Sequence, residues 1–153
     1  MPGVLQLVSD QILPHLSPQT GCKPGPQEVS QARQILIVDD SHFERNVMRS
    51  AVEDLTKFRV CGEAANGLEA VQKALELKPD LVVMDLAMPL MNGVEAAMVL
   101  RKMMPHVPIV LFTLYGEQLR GAISPVFGVT RIVSKADGLA ALLGCLERLL
   151  AAN

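Results

Sequence analysis

From residue 34 onward, short apolar runs alternate with amphipathic segments at a regular interval. Three runs, "ILIV" at 35–38, "LVVM" at 81–84 and "IVLF" at 109–112, are unbroken by polar residues, as parallel strands buried on both faces are. Two weaker runs, "FRVCGEA" from Phe58 and "VTRIVS" from Val129, alternate more and read as edge strands. Five strands with helical segments between them are the signature of repeated βα units and predict an α/β domain. The helix starts are marked too: Ser41 with Glu44, Asn66 with Glu69 and Asn92 with Glu95 have the spacing of a capping box, in which each residue of the pair satisfies a free amide of the other. In the first helix Phe43, Val47, Ala51 and Leu55 recur every fourth residue, which predicts one buried face. In the last, Leu139, Leu142, Leu143, Leu146, Leu149 and Leu150 predict the same.

Residues 1–33 have a different texture. Pro2, Pro14, Pro18, Pro24 and Pro26 with Gly3, Gly21 and Gly25 are too many breakers for regular elements. A flexible tail is expected there, with a short helix over residues 5–13 where Leu5, Val8 and Ile12 fall at helical spacing. The domain is expected at 34–153, with no output domain after the last helix.

Composition narrows the class. Half of the 153 residues are hydrophobic, 3% are aromatic and none is Trp, so the core must be built from aliphatic residues and Met. The net charge of −2 argues against direct nucleic-acid binding, which calls for a basic excess. Cys22, Cys61 and Cys145 are odd in number and lack a CxxC, indicating neither a disulfide framework nor a zinc site. His15, His42 and His106 lack ligand spacing. The most apolar run, "GLAALLGCLERLLAAN", is broken by Glu147 and Arg148, so no membrane span is expected. The first residues lack the positive start of a signal peptide. A soluble, cytoplasmic protein is the expectation.

The chemistry sits at the strand ends, where ligands bind in open parallel sheets. Asp39 and Asp40 close the first strand, Asp85 the third, Thr113 the fourth and Lys135 the fifth. Two carboxylates about 5 Å apart in a partly buried site repel by about 3 kcal/mol, so something must offset Asp39 against Asp40. A hard divalent cation such as Mg²⁺ prefers carboxylate, carbonyl and water oxygens and would relieve the repulsion among Asp39, Asp40 and Asp85. One carboxylate could then attack a phosphoryl group, with the hydroxyl and the amine binding its oxygens.

With "VDDS", "VVMDLAMPLMNGVEA", "IVLFT" and "IVSKA" in this order, the last 120 or so residues resemble the receiver domain of two-component response regulators, of the CheY-like single-domain type. That resemblance implies a flavodoxin-like, doubly wound five-stranded parallel sheet in order 2-1-3-4-5 with helices on both faces. It implies Asp85 as phosphoacceptor and Asp40 as the carboxylate that directly binds Mg²⁺, with Asp39 beside it acting through water. The backbone carbonyl of Ala87 would be the third protein ligand. Thr113 would turn toward the phosphoryl group on activation and Lys135 pair with it, while Pro89 and Gly93 match the turn after the acceptor strand. The implied function is a signalling switch, not an enzyme beyond its own Mg²⁺-dependent phosphotransfer and dephosphorylation. It would be charged by a sensor histidine kinase or a histidine phosphotransfer protein and would act on a downstream protein target, with a homodimer left open.

Three positions depart from the family pattern. Ile132 stands where an aromatic ring usually reports activation, Leu114 replaces a small residue after Thr113, and Ala136 replaces a proline after Lys135. Tyr115 is a candidate to take over the switch. The alternative is a receiver-like interaction module that works independently of phosphorylation. An aspartyl-phosphate hydrolase would want an aspartate where Ala87 stands, and "DDSHFE" excludes a dinucleotide-binding GxGxxG. Arg45 and Arg49 read equally as partner contacts or as solvated charge.

Overall fold

A computed structural model describes residues 31–122 and 127–151; the helix suggested over residues 5–13 lies outside them. The apolar runs become β1 (Gln34–Val38), β2 (Arg59–Ala64), β3 (Leu81–Met84), β4 (Ile109–Thr113) and β5 (Arg131–Ser134). They pair in parallel in the order β2-β1-β3-β4-β5, so the two alternating runs lie at the edges as expected. Side chains alternate across the sheet and feed two cores. Ile35, Ile37, Val83 and Phe112 pack on one side, and Leu36, Val38, Met84 and Leu111 on the other. Each such side chain, fully buried, contributes about 1.5–3 kcal/mol.

Helices α1 (His42–Leu55) and α5 (Gly138–Ala151) cover the first face, and α2 (Gly67–Leu77) and α3 (Gly93–Met103) the second. The leucines of α5 behave as their spacing predicts: Leu142, Leu143, Leu146 and Leu150 are buried, with Leu139 and Leu149 packed against them. The α1 expectation fails in part. Met48, Ala51 and Val52 are its buried residues, whereas Phe43 is 74% and Leu55 71% exposed. A helix advances 3.6 residues per turn, so an every-fourth-residue stripe drifts about 40° per step and leaves the sheet at both ends.

The caps are also sorted by the structure. Ser41, Asn66 and Asn92 each accept from the amide three residues on, but the reciprocal bond of a full box forms in one pair, where the Asn92 amide donates to Glu95 at 3.0 Å. Glu69 accepts instead from the Ala65 amide, and Glu44 turns toward Lys135 at 4.0 Å. Edge strand β2 is flanked by charge: Arg49 reaches Glu53 and Glu63, and Lys73 pairs with Glu69 while donating to the Glu63 carbonyl. Such charges discourage pairing with a foreign strand. Arg49 is thus engaged within the domain as well. Between β4 and β5 lies the four-residue helix α4 (Gly116–Leu119), and a 3₁₀ turn (Lys135–Asp137) joins β5 to α5.

Candidate functional site

The carboxyl ends of β1 and β3 are adjacent strands in register, with Val38 beside Met84, so the residues that follow them meet. The Asp39 amide donates to the Ala64 carbonyl at 3.0 Å and the Asp85 amide to the Val38 carbonyl at 2.9 Å. These bonds extend the ladders one residue past the strands and fix both side chains. Asp39 is buried, 1% exposed, and its Oδ1 accepts the Ser41 amide at 2.9 Å. Asp40 is exposed. The two neighbouring charges thus part company, one into the site and one to its rim. Asp85 lies between these extremes, its Oδ1 accepting the Leu86 amide at 2.7 Å.

One carboxylate oxygen from each of Asp39, Asp40 and Asp85 lies within 4.8 Å of the others. Lys135 enters this cluster from the end of β5. Its Nζ donates to Asp39 Oδ2 at 2.8 Å and to Asp85 Oδ2 at 3.3 Å. Burial alone would lower the basicity of this ammonium, but the Asp39 hydrogen bond and the charges of Asp85, Asp39 and Glu44 outweigh it, so Lys135 stands above the ordinary lysine value of 10.5. It remains a cation, and it is the counter-charge within the protein that offsets the aspartate repulsion. Three carboxylates against one ammonium leave two negative charges at the centre. All-oxygen donors with that excess suit a hard divalent cation and not a soft metal.

The other expected residues differ in burial and partners. Thr113 is fully buried at the end of β4, and its hydroxyl accepts the Tyr115 amide at 3.3 Å, a bond that holds it at the base of α4. Ala87 is exposed on the loop between β3 and α3. Ile132 is half-buried against the core on the α2 and α3 face. Tyr115 is 51% exposed. The structure therefore brings Asp39, Asp40, Asp85 and Lys135 together, while Ile132 packs with the apolar core and Tyr115 faces solvent.

Sequence reasoning missed three contributors. Glu44, in the first turn of α1, adds an acid beside Lys135. Arg45 donates to the Asp39 carbonyl at 2.6 Å, so it braces the site instead of lying in solvent. The signal was available, since the first turn of a helix that starts at a strand end necessarily flanks that end. Leu90 is the third, with φ of 68° in the loop after Asp85; nothing in a leucine announces such a backbone.

Comparison with known proteins agrees with this geometry. The family model of the response regulator receiver domain matches residues 35–146. Chemotaxis protein CheY of Thermotoga maritima is 42% identical over 86 residues, covering 56% of this chain and 71% of that protein. The protein-glutamate methylesterase/protein-glutamine glutaminase of the same organism is 43% identical over 84 residues, or 55% of this chain, and this chain spans 24% of its length. Among solved structures, the response regulator domain of T. maritima CheB superposes with a TM-score of 0.69 at 32% identity, covering 80% of this chain and 96% of that one. The T. maritima response regulator TrrA, solved in complex with Mg(2+)-BeF, gives 0.69 at 28% identity over 76% of this chain and 98% of that one. A matching sequence over residues 35–146, the sheet order and the carboxylate cluster at the strand ends lead to one conclusion: the chain belongs to the response regulator receiver domain family.

Proposed function

We propose that residues 34–153 form a phosphorylatable receiver that accepts a phosphoryl group on Asp85 from a phosphohistidine of a sensor histidine kinase or histidine phosphotransfer protein, and then signals by binding another protein. The observation that carries this reading is Lys135, whose ammonium bridges buried Asp39 and half-buried Asp85. An ammonium has three N–H donors, and two of them go here to carboxylates that follow two different strands. Lys135 is placed to stay with the site while its Asp85 bond is exchanged for a phosphoryl oxygen.

A carboxylate oxygen of Asp85 attacks phosphorus, forming the new O–P bond as the donor's N–P bond breaks and its electron pair leaves with the imidazole. Asp39, Asp40, Asp85 and the backbone carbonyl of Ala87 would hold Mg²⁺, which supplies neutralisation of the phosphoryl oxygens when bound. Lys135 keeps Asp85 oriented before transfer and pairs with the phosphoryl group after it. Thr113 Oγ1 accepts the Tyr115 amide, which leaves its own proton to be donated to a phosphoryl oxygen. A hydrogen bond to a charged group is worth about 1.5–3 kcal/mol, enough to shift a two-state population about ten- to a hundred-fold.

The test is to incubate the protein with Mg²⁺ and acetyl phosphate and to map the added phosphate by mass spectrometry. Label on Asp85, lost in Asp85→Asn and without Mg²⁺, supports the reading; label on Asp39 or Asp40 overturns it. A second reading, an interaction module independent of phosphorylation, draws on Ile132, too small and too stiff at χ1 to act as a swinging ring. Absence of any labelling favours that reading.

A further inference from the structure

We propose that Arg120 and Asp137 are positioning residues for this site: their ion pair ties the segment that carries Thr113 to the turn that carries Lys135, so that hydroxyl and amine reach the phosphoryl group together. The proposal rests on Asp85 being the phosphoacceptor and concerns how its two helpers are coordinated.

Thr113 and Lys135 come from adjacent strands, with Thr113 beside Ser134 in the β4–β5 register. Beyond the strand ends the ladder stops, and each group is followed by its own short element. Thr113 leads into α4, four residues long, whose C-cap is Arg120. Lys135 opens the 3₁₀ turn that ends at Asp137. Elements this short have too few internal hydrogen bonds to hold a position unaided. Two contacts join them. At the near end Gly116 sits so close to β5 that a Cβ there would stand 2.7 Å from the Ser134 Cα, so the start of α4 and the start of the turn abut with no space between them. At the far end the Arg120 guanidinium donates to Asp137 Oδ2 at 2.9 Å.

Each segment is also bonded to its own hydroxyl. The Tyr115 amide donates to Thr113 Oγ1, and the Ala136 amide to Ser134 Oγ. A pull on Thr113 toward Asp85 is carried through the first of these bonds to Tyr115, the residue that opens α4. Because α4 abuts Ser134 at one end and is clasped to Asp137 at the other, that motion is delivered to the turn that bears Lys135. The side chains of Arg120 and Asp137 are 54% and 44% exposed, so the pair is a modest contributor, and its value lies in where it closes the loop. It supplies a link between the fourth and fifth strand ends that does not need the aromatic ring absent from position 132.

The experiment uses the full chain with Arg120→Gln, Asp137→Asn and the charge-swapped double variant Arg120→Asp/Asp137→Arg. Hydrogen exchange of the Tyr115 and Ala136 amides is followed first, without any ligand. Each single variant is expected to speed exchange at both amides by about two- to fivefold, the range of an exposed ion pair, and the swapped pair to restore both. Titration with beryllofluoride and Mg²⁺, read by NMR at Thr113 and Lys135, is expected to shift both residues fully at saturation in the wild type and to leave one of the two short of its wild-type shift in the single variants. Exchange that quickens only beside the substituted residue, or a swapped pair no better than the singles, overturns the link. A wild type that ignores beryllofluoride while the paired exchange persists overturns the phosphoacceptor reading instead and leaves the mechanical link in place.

Discussion

Gly93 leaves no room for a side chain: an added Cβ would stand 2.2 Å from the Asp85 carbonyl oxygen and 3.1 Å from a Leu111 methyl. Its amide meanwhile donates to the Leu86 carbonyl at 2.8 Å, so the start of α3 is sewn to the loop that carries the acceptor. Gly93→Ala should therefore cost about 1–3 kcal/mol in a denaturant melt and reduce Mg²⁺-dependent labelling of Asp85; an unchanged melt would show that the loop gives way freely. Leu90, 79% exposed, sits at positive φ in a tight turn closed by the Met91 amide on the Pro89 carbonyl at 2.7 Å. Left-handed backbone costs a non-glycine residue about 1–2 kcal/mol, and glycine returns about 0.5–1 kcal/mol of that as extra unfolded-state entropy. Leu90→Gly is expected to match or exceed wild-type stability by up to about 1 kcal/mol, and a clear loss would mean that the side chain packs. Glu69 supplies a pH dependence. The hydrogen bond from Lys73, followed by that from the Ala65 amide, holds its carboxyl below the ordinary 4.5. Since the folded value lies below the unfolded one, the stabilisation is complete above about pH 4.5 and drains away as pH falls through the depressed value. Glu69→Gln should flatten the acid limb of the stability curve, measured by urea midpoints between about pH 5 and pH 3.

Helix α1 separates apolar character from burial. Met48 is 2% and Val52 1% exposed, whereas Phe43 and Leu55 lie largely in solvent. Met48→Ala removes buried volume from the core on that face and should cost about 2–5 kcal/mol. Phe43→Ser should change stability by no more than about 0.5 kcal/mol, as surface substitutions do. Equal losses in parallel thermal melts would contradict the burial assignment. The same helix shows how one element serves the whole site: Ser41 caps it, Glu44 faces Lys135, and Arg45 holds the Asp39 carbonyl, all within its first turn and the residue before it.

The domain is closed from Ala32 onward, a compact unit over Ala32–Asn153. The Arg59 amide donates to the Arg33 carbonyl and Arg33 pairs with Asp80, so the start of β1 is already anchored at that point. Both cores are built from residues of this unit. A chain starting at Ala32 should melt within a few degrees of the full chain, given that about 1 kcal/mol moves the midpoint of a domain this size by about 4 °C. A larger drop would show that the domain is not self-sufficient from that residue. Among the described residues no helix is long and apolar enough to cross a membrane.

How much of this was written in the sequence follows from the range of each interaction. Unbroken apolar runs gave β1, β3 and β4 because a strand buried on both faces has no polar side to show. Asn92 and Glu95 gave a helix start because a capping box is complete within four residues. The strand-end rule then placed Asp39, Asp40, Asp85, Thr113 and Lys135 on one rim without coordinates. What the chain could not state locally was decided by packing. Which side of α1 is buried depends on the sheet beneath it, and an i, i+4 stripe is indifferent to that. Which of Asp39 and Asp40 turns inward depends on the Ala64 carbonyl of a neighbouring strand. The ammonium that offsets their repulsion arrives from 96 residues away, and the short α4 closes on Asp137 from 17 residues away. Propensity and pattern act over a few residues, whereas burial and charge pairing act over ångströms of space, and only the folded chain converts one distance into the other.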